Sequence, residues 1–131
     1  MSAGHCELRL TRRFDASRGE VWAALTDPPS LERWLAGVID VELSPGGNFE
    51  LELRDDSRIA ASVREVEAPV VLELAWSHAG EEPSIVRFEL LEDGDGTLLV
   101  LDHRLIDERF GMAYISRWTA ALKRLRVEID R

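Results

Sequence analysis

The chain has 131 residues, 45% hydrophobic and 31% charged, with a formal net charge of −9. That length supports one domain, 1–131, with a real core, and the negative charge speaks against nucleic acid or an anionic membrane as main partner. No apolar run approaches the roughly twenty residues that span a bilayer. Met1 to Cys6 lacks the basic-then-apolar pattern of a secretory signal. The lone Cys6 cannot form an internal disulfide and fits a reducing cytoplasm. These points predict a cytoplasmic protein without repeat or linker.

Residues 6–14 alternate, with Cys6, Leu8, Leu10 and Phe14 on one side, and predict a strand with one buried face. Arg12 interrupts that face, either as an inward charge or because the strand frays there. Ser17 with Glu20 three residues on has the form of a capping box, and Val21, Trp22 and Leu25 give the following helix its apolar side. Pro28-Pro29 is expected to end that helix. Ser30 is expected to cap a second short helix carrying Leu31, Trp34 and Leu35 and stopping near Gly37.

The period then changes to two. Ile39, Val41 and Leu43 pair through the turn Ser44 to Gly47 with Phe49, Leu51 and Leu53. A weaker strand holds Ile59, Ala61 and Val63, and Ala68-Pro69 breaks it. Leu72, Leu74 and Trp76 form one dry side, Val86, Phe88 and Leu90 the next, and Leu99, Leu101 and His103 the last. From about Asp107 to Ile129 the residues Met112, Ile115, Trp118, Leu122, Leu125 and Ile129 recur at helical spacing, with Tyr114 and Thr119 at the stripe's edges and Arg117, Arg124 and Glu128 opposite. Such a helix does not stand alone; it needs a large apolar partner surface.

The order of elements, with Phe14-Asp15-Ala16 leading into Val21-Trp22-x-Ala24-Leu25-Thr26-Asp27-Pro28 and Leu31-x-x-Trp34, resembles the START-like (SRPBCC, Bet v 1-type) superfamily. Within it the chain is most similar to the family named after the activator of the heat shock protein 90 ATPase. Pro45-Gly46-Gly47-x-Phe49, Leu72-x-x-x-Trp76, Gly96-Thr97-x-Leu99-x-Leu101-x-His103 and Trp118-x-x-x-Leu122-x-x-Leu125 carry the same resemblance. It implies an α+β helix-grip fold: a seven-stranded curved antiparallel sheet around the C-terminal helix, with two short helices after the first strand. Where the family usually has Gly before the tryptophan of the last helix, this chain has Arg117. The resemblance further implies a cavity between sheet and helix that binds a small hydrophobic molecule, with chaperone binding, or cyclase or hydrolase chemistry in the same cavity, as alternatives.

Candidate cavity residues are Trp76, Phe88, Leu101, His103, Tyr114, Trp118, Leu122 and Arg12. His103 is either a ligand contact or proton donor, or a core-edge histidine bonded to backbone. Trp22 and Trp34 are expected to fasten the short helices to the sheet. Arg12 and Glu65 either form a costly inward pair or lie on the rim. No carboxylate pair, nucleophile motif or phosphate loop stands out, the histidines and Cys6 lack metal-ligand spacing, and neither metal nor cofactor is expected. The acidic hairpin faces (Asp40, Glu42, Glu50, Glu52) are where a chaperone would dock. Catalytic residues and oligomeric state are left open.

Overall fold

A computed structural model describes residues 4–131; Met1–Ala3, the start of the stretch read above for a signal, lie outside it. The elements are β1 (His5–Phe14), α1 (Arg18–Thr26), α2 (Pro28–Trp34), β2 (Gly37–Val41), β3 (Asn48–Glu52), β4 (Arg58–Glu67), β5 (Val71–His78), β6 (Ser84–Asp93), β7 (Gly96–Asp107), a 3₁₀ turn (Glu108–Phe110) and α3 (Gly111–Ile129). The strands form one antiparallel sheet in the order β1-β7-β6-β5-β4-β3-β2. Because β1 and β2 occupy opposite edges, residues 15–36 must cross from one edge to the other. The helices α1 and α2 make that crossing and close one end of the curved sheet.

Alternation places Phe49, Leu51, Leu72, Leu74, Val86, Leu90, Leu99 and Leu101 in the core, each no more than 1% exposed. Bulges in β1 at Cys6/Leu8, β2 at Val38/Asp40 and β4 at Val63/Glu65 bend the strands and sharpen the curvature. At the β2–β3 turn, Gly46 has φ +84° and a Cβ on Gly47 would strike the Glu42 carbonyl, so both positions require glycine.

Several sequence expectations are corrected. Pro28-Pro29 opens α2 instead of closing α1: Asp27 is the N-cap and the prolines take the first turn, where no N–H is needed and φ is already helical. Ser30 therefore lies inside α2. The Ser17 cap is present, its hydroxyl accepting from the Glu20 N–H at 3.2 Å. The bulge in β2 breaks strict alternation, so Ile39 and Leu43 are 42% and 38% exposed while Val38 and Val41 turn partly inward. Residues 58–67 form a full-length strand. The bulge beside Glu65 sends that carboxylate outward to Arg87 at 2.9 Å, so it does not pair with Arg12.

The last strand runs on to Asp107, and α3 starts only at Gly111. Its buried residues are Tyr114, Trp118, Ala121, Leu122 and Leu125, whereas Met112 and Ile115 are 79% and 41% exposed. The dry stripe is rotated toward Tyr114 and Ala121 relative to the spacing-based expectation, because tyrosine and alanine were not counted as core. As a result Arg117, Arg124 and Glu128 are not opposite the core but along one flank of it. Glu128 is held by Arg33 of α2 at 2.6 and 2.7 Å, and Arg124 Nε donates to the Trp34 carbonyl at 2.9 Å.

Candidate functional site

The wall of the site is an aromatic cluster where β5, β6 and β7 face α3. Trp76 and Trp118 lie with ring centroids 5.5 Å apart, and Phe88 meets Trp118 edge-on at 5.9 Å. His103 is fully buried among them and meets the Tyr114 ring at 4.4 Å. The Trp118 indole N–H donates to His103 Nδ1 at 3.0 Å, and His103 Nε2 lies 2.7 Å from Ser84 Oγ. Ser84 in turn reaches the Trp76 carbonyl at 3.4 Å. An indole only donates, so Nδ1 must be the acceptor and the imidazole proton sits on Nε2. Burial drives the His103 pKa down to about 3. The residue is thus a neutral core histidine with every polar atom used, bonded to side chains and not to backbone. Its one ring proton is directed at Ser84 and away from the cleft's lining.

In front of this wall, α3 and strands β3–β5 do not close on each other. They leave a half-open cleft of about 430 Å³, within the roughly 300–1,000 Å³ range of small-molecule sites. Its apolar surface comes from Leu35, Leu53, Ile59, Trp76, Trp118 and Ala121. Ala120 and Ala121 of α3 and Leu53, Arg54 and Asp55 of the β3–β4 turn all border it. The rim carries Arg54, Asp55, His78, Arg117 and Arg124. The Trp76 indole N–H, on the cleft wall, is buried without a hydrogen-bond partner among the described residues.

One end of the cleft is tied shut by a string of polar side chains. The Tyr114 hydroxyl donates to Glu81 Oε1 at 2.6 Å, and Glu81 Oε2 lies 2.9 Å from His78 Nδ1. His78 Nε2 lies 3.0 Å from Ser57 Oγ, whose own proton goes to Asp55 at 2.5 Å. Burial, followed by the bond to Glu81, raises the Tyr114 pKa well above the ordinary phenol value. The hydroxyl accordingly stays protonated. Arg117 stacks over the Tyr114 ring, its Cζ 5.6 Å from the centroid.

Of the residues singled out from sequence, Trp76, Tyr114 and Trp118 line the cleft. Phe88, Leu101, His103 and Leu122 lie behind its wall in the packed core, each at most 3% exposed. Arg12 is away from the cleft, near the far end of β1 opposite Leu99, with its guanidinium on the Thr11 carbonyl at 2.7 Å. Trp22 does not line the cleft, and Trp34 fastens α2 to α1 by donating to the Ala24 carbonyl at 2.7 Å. Sequence reasoning missed Leu35, Arg54, Ile59, His78, Arg117 and Arg124 as cleft residues. The helical ones had a signal: Tyr114, Arg117, Trp118, Ala121 and Arg124 follow at steps of three, one, three and three along a single flank. Among the described residues no His, Cys, Asp and Glu group has metal-binding geometry, and no helix is long and apolar enough to cross a membrane.

A curved seven-stranded sheet gripping one long helix, with a cleft between them, defines a helix-grip protein of the START-like class. Residues 15–130 match the family described as Activator of Hsp90 ATPase homolog 1-like protein, and the chain belongs to that family. CalU16 from Micromonospora echinospora is 33% identical, with 94% of this chain covering 75% of that one at a TM-score of 0.82. DynU16, of the dynemicin biosynthetic locus, is 23% identical over 95% of this chain and 47% of its own, at a TM-score of 0.83. MLL2253 from Mesorhizobium loti is 23% identical over 96% and 98% of the two chains, at a TM-score of 0.87. The last two establish likeness of fold alone. Among curated proteins none matches the chain.

Proposed function

We propose that the protein binds a small hydrophobic molecule in the cleft between α3 and strands β3–β5. The observation that carries this reading is a half-open cleft of about 430 Å³ with an apolar lining, its floor formed by the nearly buried Ile59, Trp76, Trp118 and Ala121 and its side by the partly exposed Leu35 and Leu53. An apolar body seated there trades its own water-exposed surface for contact with this lining, which yields roughly 25 cal/mol per Å² of apolar surface covered. The cleft is framed by regular elements and tied at one end by the Tyr114–Glu81–His78 string, so it is largely preformed and little ordering opposes binding. Of the polar side chains on the cleft's lining, Asp55 and His78 are bonded to Ser57 and Glu81, and Ser116 has no hydrogen-bonded base among the described residues. Binding rather than turnover is therefore the reading the geometry favours.

Thermal unfolding with a neutral apolar probe, 2-naphthamide, tests it. A ligand that binds only the folded chain raises Tm with concentration. The wild type should show that rise and Ala120→Trp should not, since Ala120 is exposed and borders the cleft, so a bulky side chain there obstructs it without touching the core. Equal behaviour of the two proteins, or no rise for any apolar probe, would refute ligand binding at this place.

A further inference from the structure

The cleft is apolar inside and cationic at its rim, in a chain that is acidic as a whole. With 25 Asp and Glu against 16 Lys and Arg, arginines find carboxylates readily. Arg9 sits on Asp102, Arg13 on Asp15 and Asp93, Arg33 on Glu128, and Arg87 on Glu65, Glu73 and Glu89. The three arginines of the cleft have no carboxylate partner, and neither do Arg12, Arg58 and Arg126 among the described residues, but only in the cleft do three such arginines line one pocket. Among the described residues, Arg54 meets no acceptor, Arg117 meets only the Tyr114 ring, and Arg124 donates only to the Trp34 carbonyl. Arg117 and Arg124 stand two helical turns apart, about 10 Å, on either side of Ala120 and Ala121. Arg54 faces them from the β3–β4 turn.

Two carboxylates are nearby, and neither forms an ion pair with the three arginines; the Asp55 pKa is lowered first by its bonds to Ser57, with the charge of Arg117 adding to it at longer range. Asp55 accepts from the Ser57 N–H at 2.9 Å and from its hydroxyl, and Glu81 is engaged by Tyr114 and His78. The proximity of Arg54 to Arg124 is itself unfavourable: burial and then the neighbouring Arg54 charge lower the Arg124 pKa. A surface that keeps like charges together beside an apolar lining is complementary to a ligand that supplies both an apolar body and negative oxygens.

Taking the cleft as the binding site proposed above, we infer that its occupant is an amphipathic anion: a compact apolar body that fills the cleft over Trp76 and Trp118, with a carboxylate or ester-linked acidic head at Arg54, Arg117 and Arg124. The head can be carried by an aliphatic or an aromatic body, and the test includes both.

Isothermal titration calorimetry on the full chain compares decanoate with decanol, and 2-naphthoate with 2-naphthamide. In whichever body binds, the acid should bind about tenfold more tightly than its neutral partner, as expected for charge-assisted bonds at a partly dry site. That preference should shrink at about 0.5 M salt, because the cleft is open to solvent. Arg54→Gln with Arg117→Gln should abolish most of the preference, read as the ratio of acid to neutral affinity within the variant; among the described residues neither side chain donates a hydrogen bond to the rest of the fold, and an unchanged far-UV circular dichroism spectrum checks that the fold is retained. Arg124 is left in place because it anchors α2 through Trp34. Equal or tighter binding of the neutral compounds overturns the anion inference while leaving the cleft reading standing. Absence of binding by all four compounds overturns both. An acid preference that survives the double substitution shows that the head lies elsewhere and overturns the assignment.

Discussion

The Trp118 indole N–H meets Nδ1 of His103 at 3.0 Å, and this contact fixes the charge state of the centre of the protein. A protonated imidazole would set an N–H against an N–H in a fully buried site. Burial, with which this contact agrees, lowers the His103 pKa to about 3 in the folded chain, against an ordinary 6.5 when unfolded. The unfolded chain thus binds one more proton between those values, and folding stability must fall as pH drops from 6.5 toward 3, by roughly 1.4 kcal/mol per unit at most. Urea unfolding across that range, on wild type and His103→Gln, should show a weaker pH dependence for the variant. Parallel curves would show that His103 titrates alike in both states.

Trp118→Phe keeps an aromatic ring against Trp76 and Phe88 but leaves His103 Nδ1 without a donor. The expected loss is about 1–3 kcal/mol beyond the packing change. A double-mutant cycle with His103→Phe isolates that part. Coupling near zero would mean that the indole bond contributes nothing.

Acid also acts at Asp107, which the Arg109 guanidinium and then the Arg109 backbone N–H hold down to about 2. A carboxylate lowered in the folded state adds stability that is fully present above its unfolded pKa, near 4, and is lost as pH falls toward 2. Far-UV circular dichroism of acid unfolding should accordingly show a steeper loss for wild type than for Asp107→Asn in that window. An unchanged acid limb in the variant would exclude the contribution.

Leu105 sits at φ +60° in the irregular stretch of β7 opposite the β1 bulge, with 48% of its surface exposed. Left-handed backbone costs an ordinary L-residue about 1–2 kcal/mol, and asparagine tolerates it better. Leu105→Asn should leave stability unchanged or raise Tm by a few degrees. A clear drop in Tm would show that the exposed leucine contributes packing that outweighs its backbone.

The sheet was legible because its strands alternate cleanly: Phe49 with Leu51, or Leu72 with Leu74 and Trp76, admit one inward face each. What misled was local. Ile39 and Leu43 read as core because a bulge is invisible in a pattern of period two, and Pro28-Pro29 reads equally as a helix stop and a helix start. The cleft was harder. A residue such as Arg54 joins it only through the fold, since the β3–β4 turn and α3 are more than fifty positions apart in the chain. On the helix, counting only large apolar residues hid the roles of Tyr114 and Ala121 and displaced Arg117 and Arg124 to the wrong side. His103 was placed correctly on the dry face of the last strand; its neutrality depends on Trp118 and Ser84, which spacing alone does not bring together.

The most direct test follows the four indole N–H signals by ¹⁵N–¹H correlation spectroscopy while 2-naphthoate is added to the labelled protein. Trp76, with its unpartnered N–H, and Trp118 should shift saturably, and Trp34, bonded to the Ala24 carbonyl between α1 and α2, should stay in place. Movement of Trp34 or Trp22 with Trp76 and Trp118 unmoved would place the ligand outside the cleft and contradict the account.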